Sequence, residues 1–302
     1  MRIAGRCLLG LISALAACTL LVLSAMNAEG APGVPADFTP TAFAYLPLVL
    51  RQRYTCPVTS DNSYSYGIAY QHDMDNPVRP THLHADKNLA LRSYSPTDPP
   101  LRELVDYGSG DDTQPPQFAT LFQPHRVPPL VGFYRVYNWN WALSPDPGAR
   151  GDPITDYPAT ALGLQTTPGE GLHVPESGYN IEVLVLFADE DSVTLRYTWD
   201  DSSAPAGYTV HIDNICTDPN LLALYNALDD YPTGPRYVFV PPESRPYGYN
   251  LPNLPAGKPF GKARSTEIVV AIADTGAFQD PRSCNDWWQV RPGYAGSCPP
   301  HE

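Results

Sequence analysis

Three groups of residues in this sequence are of types that can do chemistry. The first is rich in histidine and aspartate: His72, Asp73, Asp75, His82, His84 and Asp86. On an extended strand His82 and His84 turn both imidazoles to one face, a common way to hold a transition metal, with Asp86 and His72 in reach as further ligands. Pro77 and Pro80 interrupt regular structure here, which favours the alternative of an exposed polar loop. The second group is aromatic. FYRVYNWNW at Phe133–Trp141, read as a strand, lines Phe133, Arg135, Tyr137, Trp139 and Trp141 along one side. Exposed, such a row stacks sugar rings; buried, it is core. The third group is acidic: Gly110-Asp111-Asp112, Asp189-Glu190-Asp191 and Asp200-Asp201. Such runs are ordinarily solvated turns. Calcium would suit their oxygens, but none follows the EF-hand pattern.

The common catalytic signatures are missing. There is no G-x-S-x-G elbow, Walker loop, dinucleotide glycine fingerprint or H-E-x-x-H helix. A net charge of -13, spread along the chain, disfavours nucleic acid and anionic membrane surfaces, which reward clustered Lys and Arg.

The first residues read as an export signal. Arg2 and Arg6 precede an apolar run over Cys7–Met26, and Ala28-Glu29-Gly30 places small residues where a signal peptidase reads. Two alternatives stay open: a lipid on Cys18 of the lipobox-like Leu15-Ala16-Ala17-Cys18, or retention of residues 1–30 as a membrane anchor. Each alternative leaves the body in the cell envelope or the extracellular space, with the membrane touched only through that anchor. Beyond the signal remain Cys56, Cys216, Cys284 and Cys298, an even set suited to an oxidising compartment. Their spacing fits no zinc site. Of the three pairings open to four cysteines, the short loop between Cys284 and Cys298 favours that pair, leaving Cys56 with Cys216.

The elements that must position these groups are mostly strands. With 35 Pro and 22 Gly in 302 residues, the composition argues for a loop-rich, mainly β protein. A Pro-rich leader at 31–50 precedes a Tyr/Trp-rich β region at 51–150, with strands expected at Asn88–Tyr94, Gln117–Phe122 and Val131–Trp141. SPDPGARGDP (144–153) reads as a linker to a second domain at 151–302, an antiparallel β-sandwich with one helix insert. Its strands are expected at Glu182–Ala188, Ser192–Trp199, Gly207–Ile212 and Glu267–Ala273, the last closed by the turn Asp274-Thr275-Gly276. The helix is expected at Pro219–Asp229, capped by Asp218 and burying Leu221, Leu222, Leu224, Tyr225 and Leu228. Tyr231–Pro255 reads as a loop without periodicity.

In Ala161–Arg282 the order of these pieces resembles the lysostaphin-like zinc endopeptidases that cut bacterial cell-wall peptides. The likeness rests on PGEGLHVPESG (168–178), SVTLRYT, the strand Gly207–His211, LPAGKPFGKA (254–263) and EIVVAIADTGAFQDPR (267–282). It implies a sandwich fold and a zinc-bearing face. The family's ligand positions fall at Ala161, Gln165 and Val269, with Glu267 at the place of a first histidine. Alanine and valine cannot ligate zinc, and one carboxylate plus His211, even with His173 recruited, does not rebuild the family's site. The resemblance therefore implies a degenerate relative of that family within an exported bacterial protein. Its expected role is a non-catalytic binding or structural module with glycan or wall peptide as ligand and no cofactor. The alternative is a metal-dependent hydrolase with a rearranged site at His82 and His84.

Overall fold

Side-chain alternation sets the architecture. Along the strand Glu267–Asp274, Ile268, Val270 and Ile272 enter one apolar cluster while Val269, Ala271 and Ala273 enter another. A strand apolar on both sides must be covered on both sides, and this one lies at the centre of the larger of two sheets.

The computed structural model describes residues 53–70, 81–107, 115–143, 148–177, 183–197, 207–228, 237–239 and 246–294, with Gly296 and Cys298. The segments expected as signal and leader at 1–50, with His72, Asp73, Asp75, Asp111-Asp112 and Asp200-Asp201, lie outside these residues. In chain order the strands are β1 Ser65–Tyr70, β2 Tyr94–Pro96, β3 Leu130–Asn140, β4 Ala149–Pro153, β5 Ala161–Gln165, β6 Gly171–His173, β7 Val183–Ala188 and β8 Ser192–Tyr197. They continue as β9 Tyr208–Asp213, β10 Ile215–Thr217, β11 Tyr237–Phe239, β12 Pro246–Leu254, β13 Pro259–Ala263, β14 Glu267–Asp274 and β15 Ala277–Phe278. The helices are α1 Leu89–Arg92, α2 Pro219–Leu228 and α3 Cys284–Trp287.

The protein is mainly β, as expected. The large sheet has twelve strands in the order β1-β12-β7-β8-β9-β14-β5-β3-β2, with β11, β15 and β4 paired beside β12, β14 and β3. Every pairing in it is antiparallel. A three-stranded sheet, β10-β13-β6, faces it. Between them lies the main core, where Leu162, Val193, Leu195, Val210 and Ile268 meet Leu172, Ile215 and Phe260. Helix α2 closes one side. Asp218 Oδ1 accepts from the Asn220 amide at 2.9 Å, the expected cap, while its Oδ2 accepts from Ser60 and Asn62 at 2.6 and 2.7 Å. The two expected disulfides are present, Cys56–Cys216 and Cys284–Cys298.

The N-terminal region does not stand apart in the described residues. β3 pairs with β5 and β1 with β12, so strands from both sides of residue 150 share one sheet, and Val49–Glu302 is one compact unit. The expected linker contributes β4 to the same surface.

Three local expectations need correction. Asn88–Tyr94 is not a strand: Asn88 Oδ1 accepts from the Ala90 amide at 3.0 Å and starts α1, and Ser93, at φ 58°, ends it before β2. Gln117–Phe122 is a 3-10 turn at Phe118–Leu121, held by the Thr120 hydroxyl donating to the Gln117 carbonyl at 2.7 Å. Its apolar run is buried on all sides, so the run carries no strand period. Tyr231–Pro255 contains the short β11 and also β12, where Pro246 and Pro252 hide the strand signal.

Candidate functional site

The face of the large sheet opposite the main core carries the site. One row of residues crosses five strands: Ser192 on β8 pairs with Asp213 on β9, Asp213 with Val269 on β14, Val269 with Gly163 on β5, and Gly163 with Gly132 on β3. The two glycines leave bare backbone at one end of the row, and the side chains of Glu267 and Tyr134 lie over it. A Cβ added at Gly163 would overlap Glu267 Oε1 and stand 2.8 Å from the Gly132 backbone; one at Gly132 would stand 2.6 Å from the Tyr134 hydroxyl. The paired glycines therefore let a carboxylate and a phenol lie against a sheet.

The other walls come from outside this row. The turn that ends α1 and enters β2 brings Ala90, Ser93 and Tyr94 over it, and the β7–β8 turn brings Asp191. Asn214, at φ 64°, follows β9 and donates to Ser265 Oγ at 2.8 Å and to the Glu267 carbonyl. Together these residues line a cleft of about 450 Å³ floored by Val269. Tyr94 and Tyr134 meet edge to face, with ring centroids 5.1 Å apart. Each phenol is committed to a carboxylate: Tyr134 donates to Glu267 Oε1 at 2.7 Å, and Tyr94 donates to Asp213.

Among the described residues no Lys, Arg or His lines the cleft. Arg264 reaches its rim, where it bonds Asp191 Oδ2 at 3.2 Å. Burial, with Asp189 and Asp191 nearby, pushes the Asp213 carboxyl up to about 7, and the Tyr94 hydrogen bond offsets only part of this. Burial and Asp189 also raise Asp191 above the usual carboxylate range. Burial raises Tyr94 as well, with Asp213 adding to it, so that phenol keeps its proton at physiological pH.

The histidines expected as remnants of a metal site do not converge. His211 sits one strand step from Asp213 on the same face, buried, stacked on Phe278 with ring centroids 5.5 Å apart. Its Nδ1 lies 3.0 Å from Thr194 Oγ1, whose proton goes to the Lys87 carbonyl at 2.6 Å, so Nδ1 is the donor in that contact. Burial and the Arg92 charge push this imidazole down to about 3, which keeps it neutral. His173 lies in the small sheet on β6; it donates to the Leu121 carbonyl, and its Nδ1 is buried without a hydrogen-bond partner. Burial lowers its pKa, and His125 nearby lowers it further. Of the three, Glu267 alone lines the cleft.

Of the loop metal candidates, the described ones are engaged in separate contacts. His82 is exposed, whereas His84 is buried, accepts from the Asp86 amide at 3.2 Å and packs against Trp141. Asp86 is held in an ion pair with Arg92. Among the described residues no three His, Cys, Asp or Glu side chains are grouped so that they could hold a metal ion.

The aromatic row divides at its middle. Phe133 is core, beneath Arg102 and Arg282. Beyond it a register shift between Tyr137 and Trp139 separates the outer members. Tyr137 packs under Arg150, and Trp139 meets Trp141, which is 36% exposed, edge to face. Tyr94, Tyr134, Asp213 and Asn214 carried no motif. The signals for them were in-strand glycines, which mark close approach, and the two-residue step from His211 to Asp213, which puts both on one face. Asp191 sits in a turn that read as solvated, and the structure sets it at the cleft's edge. The chain matches no family model, no curated protein and no solved structure.

Proposed function

We propose that this is an exported, non-catalytic binding module of the cell envelope or extracellular space, and that its cleft takes a fragment of cell-wall peptide or glycan. The observation that carries the reading is the convergence of Tyr94, Tyr134, Asp213 and Glu267 around a cavity of about 450 Å³, within the size range of small-molecule sites. The cleft adjoins the sheet positions to which the resemblance to lysostaphin-like endopeptidases assigns zinc, here Ala161 and Val269. A cleft in which no three of the described His, Cys, Asp or Glu side chains are grouped to hold a metal suits recognition better than hydrolysis. Two disulfides fit an extracellular protein.

The test is co-sedimentation of the purified exported chain with insoluble peptidoglycan, run beside a turbidity assay for wall digestion. Saturable binding that falls at least tenfold in an Asp213→Asn, Glu267→Gln double variant, without digestion, is the expected result. Binding unchanged in that variant, or digestion lost on chelation, overturns the proposal.

A further inference from the structure

We infer that the cleft recognises a primary ammonium group on its ligand, seated beside the Tyr94 and Tyr134 rings and bonded to the carboxylates of Asp213 and Glu267. This rests on the reading of the cleft as the binding site.

The argument is an inventory of donors and acceptors. Both tyrosine protons are given to carboxylates, so neither phenol has a proton left to donate to a ligand. The Ser192 hydroxyl donates to Asp189 Oδ1 at 2.9 Å, and the Asn214 amide is turned to Ser265 and Glu267. Ser93 adds one hydroxyl donor; the other described lining side chains present mainly acceptors and, as Asp213 ionises, negative charge. An anionic ligand would meet repulsion there, and a neutral sugar would find few donors. A divalent ion would be held best by several carboxylates about one point, and no three His, Cys, Asp or Glu side chains of the described residues are grouped so. An alkyl ammonium brings three donors, no acceptor and a charge that aromatic rings also attract. The apolar floor at Val269 and Ala90 suits the attached carbon chain.

The groups facing Asp213 are Asp189 and Asp191 from the β7–β8 turn, Tyr94 from β2, Tyr134 from β3, Glu267 from β14 and His211 from β9 itself. Arg264 acts through Asp191. His211 stays neutral down to about pH 3 and Tyr94 keeps its proton, so near neutrality Asp213 is the group among them whose charge changes most. A carboxyl titrating at about 7 is one-tenth ionised at pH 6 and nine-tenths at pH 8, so ammonium affinity rises by about tenfold over that interval.

Isothermal titration of the exported chain with Nα-acetyl-lysine methylamide and with its Nε-acetylated form tests the inference, alongside chitobiose in its free-amine and N-acetylated forms. At least tenfold tighter binding of a free amine over its acetylated partner supports it, and the pair that shows the difference names the source as peptide or amino sugar. Affinity for the lysine probe, whose ammonium keeps its proton throughout, should rise between pH 6 and 8, with the rise abolished in Asp213→Asn and kept in Glu267→Gln. Peptidoglycan binding with no discrimination against acetylation overturns the ammonium inference and leaves the module reading standing. Loss of both peptidoglycan and probe binding in the folded wild-type chain overturns both.

Discussion

Tyr134 and Glu267, 133 residues apart in sequence, join their side chains through a 2.7 Å hydrogen bond laid over two glycines of neighbouring strands. Bare backbone at Gly132 and Gly163 is what that contact requires. Gly163→Ala should therefore displace Glu267 and destabilise the fold by about 1–3 kcal/mol, as overpacking does. Urea unfolding measures the stability, and unchanged stability with unchanged ligand binding would show that the glycines are incidental.

The Asp213 carboxyl makes neutral pH a mild burden on the fold. Its folded pKa of about 7 lies above an unfolded value of about 3.9, so between those limits the folded state holds a proton that the unfolded state has lost. Stability therefore falls as pH rises from 4 to 7, by on the order of a few kcal/mol from this group. Denaturant midpoints across that range should show the slope, and Asp213→Asn should flatten it and stabilise the protein at pH 8. A slope unaltered by the substitution would assign the effect to other groups.

A second charged site is structural. Arg282 and Asp280 are both buried and paired at 2.6 Å, with Tyr107 donating to Asp280 Oδ2 at 2.9 Å and the Trp287 indole donating to the Asp280 carbonyl at 3.0 Å. Removing one partner strands a buried charge, so Arg282→Met should cost about 3–5 kcal/mol. Thermal unfolding of the single variants reads this, and a loss below about 1 kcal/mol would contradict it.

The two ends of the aromatic row should respond differently. Phe133→Ala opens a cavity in the main core and should cost about 3–5 kcal/mol. Trp141→Ala, at a partly exposed site against His84, should cost about 1 kcal/mol or less. Chemical denaturation of both variants decides it; equal losses would mean that Trp141 is as firmly packed as Phe133.

Both disulfides should form quantitatively in the oxidised chain. Thiol titration in denaturant without reductant is expected to find no free sulfhydryl among Cys56, Cys216, Cys284 and Cys298, and reduction should cost on the order of 2–5 kcal/mol per bridge. A reactive thiol would contradict the pairing.

Much of the β architecture was legible because strands such as Val183–Ala188, Ser192–Tyr197 and Glu267–Asp274 carry β-branched runs between turn residues. The cap on α2 was legible because Asp218-Pro219 is a local signal. The cleft was not. Glu267 drew notice, but Tyr94 reaches Asp213 from 119 positions away through sheet pairing, and no local pattern encodes which strands become neighbours. β12 was missed because Pro246 and Pro252 hide a strand whose middle pairs with β1 alone on one side.

That pairing also bears on how the chain reaches its native state. β1 is the first described strand, yet its partner is β12: Ser65 Oγ bonds Asn253 Oδ1 across 188 residues. β2 closes the opposite end of the same sheet, so early sequence supplies both margins and later sequence fills the middle. Contact order of this kind belongs to slow folders. During synthesis β1 must wait, unpaired, until β12 has emerged, whereas β2 meets its partner β3 early, so it is the β1 margin whose closure is gated by arrival of the carboxyl-terminal segments.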